Sequence, residues 1–298
     1  MSFINIATFN GQKTQEFNPE KGIENTNIAY KITWDTSDDF EIFLKDPKVS
    51  EIKSIVFKNF EIKRIIGLMD KCQDKLQNLT GLFFGEVNWD ENENSFFEEN
   101  ADFGLLIKGL PNLEIFKIRA GFKLEFSTLN HSKLKALTVY ANGQVFDAIA
   151  NANLPNLEHL ELWTEDETVK SIQNAYRGNN KKNHLPSLKY LGVRKCFVAN
   201  DLTVQMQGDQ ILKQIETLDL SEGLFSNIGA QAFLENSDML LLKKINLNHN
   251  YIADELAEKL IQKFGKSINI GLRNPVPIDV ETKDFERDDY NNYVDICE

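Results

Sequence analysis

The sequence predicts an α/β solenoid with a parallel inner β-sheet, outer helices and terminal caps, and three observations carry that prediction. One nine-residue pattern recurs, as LPNLEIFKI from Leu110, LPNLEHLEL from Leu154 and LPSLKYLGV from Leu185. Its skeleton, an anchor leucine followed by apolar residues three and five places later, repeats along most of the chain. The intervals between copies show helical spacing instead. In a strand alternate side chains point to opposite faces, so the last two apolar positions of each copy face a core. Apolar residues three and four apart line one side of a helix. A unit of one strand and one helix cannot bury its apolar face alone, so neighbouring units stack.

The elements follow in order. FINIATFN and NIAYKITW read as two cap strands and residues 38–45 as a short helix, which makes residues 1–50 an N-terminal cap. Repeats fill residues 51–273. Their inward positions begin with Ile52/Ile55/Phe57 and Leu79/Leu82/Phe84. They continue through Leu134/Leu137/Val139, Ile215/Leu218/Leu220 and Leu242/Ile245/Leu247, and end with a degenerate Ile268/Ile270 counted from Gly265. Anchor-to-anchor steps are 27, 34, 21, 23, 31, 27, 27 and 23, mostly within the ~20–29 of leucine-rich repeats. The two long steps predict surface insertions around residues 88–100 and 175–184. Ile62, Ile65, Ile66, Met69 and Cys72 form one helical stripe, and Ala253, Leu256, Ala257, Leu260, Ile261 and Phe264 another. Past Arg273 the chain turns proline-rich, then acidic, then apolar at YVDIC, which reads as a hook on the last repeat. Residues 274–298 are thus a C-terminal cap and acidic tail. Nothing reads as a linker, so the expectation is one domain over residues 1–298.

Composition narrows the function. With 298 residues, 42% hydrophobic and 26% charged, the chain is neither disordered nor fibrous. A net charge of -12 argues against nucleic acid and anionic membrane as partners. MSFINIATFNGQKT does not read as a secretory signal, and no apolar run approaches membrane length. Cys72, Cys196 and Cys297 are odd in number and far apart, which suits a reducing cytosol. The expected location is cytoplasmic.

Chemistry is scarce. His131, His159, His184 and His249 lack metal-ligand spacing and no cysteine pair has it, so no metal, no cofactor and no catalytic residue is expected. His131 and His184 precede repeats, where exposed loops are expected. Cys196 falls at the ninth repeat position, where Asn or Cys satisfies turn backbone groups. Asn142 and Asn250 share that slot. Cys72 reads as core and Cys297 as an exposed thiol. Gly265-Lys266-Ser267 imitates the end of a phosphate loop, but it leads into a strand and lacks the first glycine. Asp90, Asn92 and Asn94 imitate the start of a calcium loop without its glycine or its bidentate glutamate.

The stretches IETLDLSEGLFSNIGAQAFL and LKKINLNHNYIADELAEKL resemble leucine-rich-repeat proteins of the ribonuclease-inhibitor type. LPNLEHLELW, LKYLG and IETLDLS in that order, with FNPEKG and KITWD before them and YVDICE at the end, are similar to an uncharacterised family of bacterial cytoplasmic leucine-rich-repeat proteins. The resemblance spans nearly the whole chain. It implies a horseshoe fold and a cytosolic setting, and it brings no activity.

In this register the second, fourth and sixth residues after each anchor point out from the inner sheet. The sixth-residue row places Tyr140 beside Trp163, flanked by Arg119 and Arg194. His159 and Tyr190 lie in the second-residue row and Glu161 in the fourth. Tyr, Trp and Arg dominate protein-interface hot spots, although such side chains also stack simply as cross-strand pairs. The leading expectation is a non-enzymatic module that holds a protein or peptide partner on the concave face through Arg119, Tyr140, His159, Glu161, Trp163, Tyr190 and Arg194. The alternative is a receptor or enzyme for a small anionic ligand at the Arg/Tyr/Trp centre of that face. In both readings a basic-aromatic centre selects an anionic group.

Overall fold

Each copy of the repeat forms a strand in the computed structural model, which describes residues 6–33, 38–58, 62–86, 101–119, 124–140, 144–164, 167–179 and 184–274. The chain divides into two compact units. One comprises residues 1–157 with 177–187, the other residues 158–176 with 188–298.

The first unit contains β1 (Thr8–Phe9), β2 (Gln12–Glu16), β3 (Ala29–Ile32), α1 (Asp39–Lys45), β4 (Ser54–Lys58), α2 (Ile62–Lys71), β5 (Gly81–Glu86), β6 (Ala101–Asp102), α3 (Phe103–Lys108), β7 (Ile115–Arg119), β8 (Leu124–Glu125), β9 (Ala136–Tyr140) and α4 (Gln144–Asn151). Strands β2, β3, β4, β5, β7 and β9 are parallel neighbours in that order, and β1 joins β2 antiparallel. β6 and β8 pair separately. Inward positions are sealed: Ile55, Phe57, Leu82, Phe84, Phe116, Ile118 and Leu137 are fully buried. Phe57 and Phe84 of these strands join Phe40 of α1 and Phe103 of α3 in a continuous spine. Phe40 meets Phe57 at 4.9 Å between ring centroids, Phe57 stacks on Phe84 at 4.8 Å, and Phe84 packs edge-on to Phe103 at 5.1 Å.

The N-terminal cap is built differently from the two strands expected. Asn10 and Gly11 have φ of 50° and 72°, the paired left-handed conformation that closes a tight hairpin with the twist of its strands. The hairpin tip lies over the sheet. The Phe9 ring sits 5.9 Å from Phe83, and Asn10 Nδ2 donates to Ser54 Oγ at 3.1 Å and Thr80 Oγ1 at 2.8 Å. β2 itself reads QKTQE and has no apolar alternation, which hides it from a hydrophobicity pattern. A polar strand near a sheet edge is a common protection against edge-to-edge pairing.

The second unit contains β10 (His159–Trp163), α5 (Val169–Arg177), β11 (Tyr190–Arg194), α6 (Ala199–Gln205), β12 (Thr217–Asp219), α7 (Asn227–Glu235), β13 (Lys244–Asn246), α8 (Asp254–Phe264) and β14 (Ile268–Asn269). Its five strands are parallel in sequence order. Leu160, Leu162, Leu191, Val193, Leu218 and Leu247 are fully buried.

Two side-chain ladders tie consecutive repeats together. The residue before the anchor bonds to a main-chain carbonyl of the preceding repeat: Asn112 Nδ2 to Gln77 at 2.7 Å, Asn156 Nδ2 to Ser132 at 2.6 Å, Ser187 Oγ to Pro155 at 2.7 Å. From Glu114 to Lys243 the residue after the anchor alternates in charge. Glu114 pairs with Lys135, Glu158 with Lys189 and Glu216 with Lys243, each at 2.9 Å. At the ninth position Asn250 Nδ2 donates to the carbonyls of Leu247 and Ile270, while its Oδ1 accepts from Ile252 N–H.

Several expectations need correction. His131 and His184 are 7% and 8% exposed, because the segments before the repeats pack between neighbours and do not loop into solvent. Cys72 is only half-buried, since α2 ends at Lys71 and the thiol follows its last turn. Ile261 is 52% exposed and stands outside the buried stripe of Ala257, Leu260 and Phe264. Residues 175–177 belong to α5, with Ala175 and Tyr176 buried, so the expected insertion is shorter. The insertion at 88–100, Asn142, the Asp90/Asn92/Asn94 set, Cys297 and the YVDIC hook lie outside the described residues.

Candidate functional site

Strand registry places the outward side chains in rows. In the first unit Arg119 is opposite Tyr140, with its guanidinium 5.4 Å from the Tyr140 ring centre. In the second unit His159 is opposite Tyr190, Glu161 opposite Gly192, and Trp163 opposite Arg194, while β12 continues the rows with Thr217 and Asp219.

The fourth-residue row does not face open solvent. Phe83 is fully buried, and Lys117, Thr138, Glu161 and Asp219 are 2%, 4%, 1% and 6% exposed. Tyr140 and Trp163 of the sixth-residue row are buried as well. Large side chains on adjacent strands fold over one another and cover the row between them. The second-residue row stays partly open. Ile115, Ala136, His159, Tyr190 and Thr217 are half-buried, with a quarter of the His159 side chain accessible.

Glu161 is the hub of the second unit's face. Trp163 Nε1 donates to Glu161 Oε1 at 2.6 Å, and Arg194 lies 3.8 Å from the same oxygen. His159 Nε2 lies 3.3 Å from Oε2 and the Tyr190 hydroxyl 3.4 Å. Burial alone would raise this carboxyl's pKa. The bonds from His159 and Trp163 and the charge of Arg194 help outweigh burial, and the group sits well below the usual carboxylate range. Such pairing and hydrogen bonding are what permit a charge to be buried.

Tyr190 lies flat along the face. Its ring stacks on His159 at 3.9 Å and 7°, and its hydroxyl donates to Asp219 Oδ2 at 2.9 Å. Gly192 makes this possible: a Cβ there would stand 2.9 Å from the Tyr190 ring and 3.0 Å from its hydroxyl. Burial, then Asp219 and Glu161, push the phenol's pKa up. Asp219 also accepts from Asn246 Nδ2 at 2.9 Å and Ser221 N–H at 3.0 Å.

Arg194 is held on all sides. Its guanidinium lies 4.0 Å from the Trp163 ring centre, Nε donates to Ser221 Oγ at 3.0 Å, and Nη2 pairs with Glu222. Burial disfavours its charge, but Glu222, Asp219 and Glu161 outweigh that and raise its pKa. Arg194 is thus neutralised by the chain's own carboxylates, and the small-anionic-ligand alternative is not favoured. Lys195, Glu222 and His249, at one repeat position in three successive repeats, all adopt positive φ, of 53°, 64° and 56°.

Sequence reasoning placed these residues in the right rows but missed Glu222, Asn246 and the role of Gly192. The spacing Tyr190-x-Gly192 was the available signal. Cys196 is buried and its thiol's pKa is pushed up to about 12 by desolvation, which suits its structural slot. Among the described residues there is no cluster of three or more His, Cys, Asp or Glu side chains placed to hold a metal, and no helix is long and apolar enough to cross a membrane.

The repeated strand-and-helix units, their parallel sheets and the position-specific ladders define a leucine-rich-repeat fold. Neither protein-family models nor curated proteins give a match to this chain. Among solved structures it is similar to a protein from Bacteroides fragilis, with 26% identity and a TM-score of 0.68 over 84% of this chain and 77% of that one. An internalin from Listeria monocytogenes superposes more loosely, with 14% identity and a TM-score of 0.35 over 83% and 80% of the two chains.

Proposed function

We propose that this chain is a non-enzymatic interaction module, a bacterial cytoplasmic leucine-rich-repeat protein of the ribonuclease-inhibitor type, which holds a protein or peptide partner on its sheet faces. The supporting observation is that Glu161, Tyr190, Arg194 and Asp219 are engaged by one another and by His159, Trp163, Ser221, Glu222 and Asn246 of the same unit. Such a face is stiff and chemically quiet, and preorganised surfaces bind with little loss of conformational entropy. In this reading His159, Tyr190 and Arg119 touch the partner, while Tyr140, Glu161, Trp163 and Arg194 hold them in place.

The test is capture from the native lysate with wild type beside His159→Ala and Arg119→Ala, neither of which removes a fully buried side chain. A protein retained by wild type and lost with either variant at unchanged melting temperature supports the module and the face that carries the substituted residue. Equal capture by all three moves the partner elsewhere, and no specific capture by any of them counts against the module. A single domain over residues 1–298 is part of the proposal, and one cooperative unfolding transition is its expected signature.

A further inference from the structure

His131 sits at a junction of three successive repeats in the first unit. Its Nε2 lies 3.0 Å from the Leu110 carbonyl, and its Nδ1 accepts from Lys133 N–H at 3.2 Å. A carbonyl only accepts and an amide N–H only donates, so the ring is held as the neutral tautomer with its proton on Nε2. The same segment binds forward. His131 N–H donates to the Asn153 carbonyl at 3.0 Å, Asn153 N–H to the Leu129 carbonyl at 3.0 Å, and Asn156 Nδ2 to the Ser132 carbonyl at 2.6 Å. Residues 125–130 also form one wall of a groove of about 390 Å³, with Gln144, Asp147, Ala148 and Asn151 of α4 opposite.

We propose that His131 is an acid-released latch: a proton arriving at Nδ1 removes the acceptor for Lys133 N–H and frees segment 129–133, loosening that wall of the groove. The surrounding charges work in the same direction. Lys133 bears on the ring as a like charge, with its ammonium drawn to Asn112 Oδ1 at 2.5 Å, while Glu114 of the preceding repeat is paired with Lys135. Burial first and Lys133 next lower the ring's affinity for a proton, against the opposing bond to Leu110. A lowered folded-state value means the closed form binds fewer protons than the open one. Closure is therefore complete above the ordinary histidine value of ~6.5 and weakens as pH falls below it.

The experiment is hydrogen exchange on the full chain at pH 7.5 and 5.5, corrected for intrinsic rates. The amides of His131, Lys133 and Asn153 are expected to exchange up to about tenfold faster at the lower pH, with those of β4 and β5 unchanged. His131→Gln keeps a donor but has no titrating proton and should abolish the difference. A wild type equally protected at both pH values overturns the latch, as does a glutamine variant with the wild-type acceleration. Should that variant fold poorly, the ring ¹⁵N titration of wild type decides: proton uptake at Nδ1 must fall below the ordinary histidine value of ~6.5, and uptake at or above that value overturns the proposal.

Discussion

Gly192→Ala is the sharpest probe of the second unit's face. The added methyl would stand 2.9 Å from the Tyr190 ring, 3.0 Å from its hydroxyl and 3.2 Å from Glu161 Cγ. The phenol is the movable neighbour, so it must lift away from Asp219 and Glu161. A hydrogen bond to a charged group contributes about 1.5–3 kcal/mol, and replacing glycine by alanine returns about 0.4–1 kcal/mol through the unfolded chain. The expected net loss is about 1–2 kcal/mol, read as a lower urea midpoint at unchanged slope. Tyr190→Phe should lose a similar amount, and the double variant much less than the sum. The phenol offers a second readout. Its folded pKa is raised, so its contribution is whole below the ordinary tyrosine value of ~10 and is lost as pH rises above it. In Gly192→Ala the alkaline titration of this tyrosine should move down toward that ordinary value. A variant as stable as wild type with an unmoved titration would refute the wedge of Tyr190 across Gly192.

Other predictions follow from the same geometry. Leu218→Ala empties a fully buried inward position and should cost about 2–5 kcal/mol; an unchanged midpoint would mean the strand register is wrong. Glu161→Gln should lose about 3 kcal/mol and flatten the acid limb of stability. Glu161's pKa is depressed, so its contribution is present above the ordinary carboxylate value and disappears as pH falls through the folded one; an unflattened limb would exclude Glu161 as its source. In the native protein a thiol reagent should modify half-buried Cys72 far faster than buried Cys196, and comparable rates would contradict the packing. His249→Gly relieves a left-handed residue, a conformation that costs about 1 kcal/mol, and should raise the urea midpoint; a fall would show that the imidazole's contacts outweigh the strain.

The inward positions were legible because leucine, isoleucine and phenylalanine recur at fixed offsets and burial follows directly from them. The rows of outward residues were legible for the same reason. Exposure was not, because it depends on what lies across a strand. Glu161 is polar and outward, yet Trp163, Tyr190 and Arg194 close over it. β2 escaped because QKTQE carries no apolar period, and His131 because the segment before an anchor looks like any polar loop until Leu110 and Asn153 are brought beside it. Cys72 shows the converse: it continues a helical stripe in sequence after the helix itself has ended.

The Glu and Lys that alternate after the anchors from Leu113 to Leu242 have a consequence for how such a chain can change length. Within the second unit Glu158, Lys189, Glu216 and Lys243 succeed one another. Deleting the repeat that starts at Leu188 would bring Glu158 beside Glu216, and like charges on neighbouring strands repel. Removing two consecutive repeats would restore opposite signs. In this stretch of the ladder a change by two repeats keeps opposite charges adjacent and a change by one does not, a difference of about 0.2–1 kcal/mol per contact.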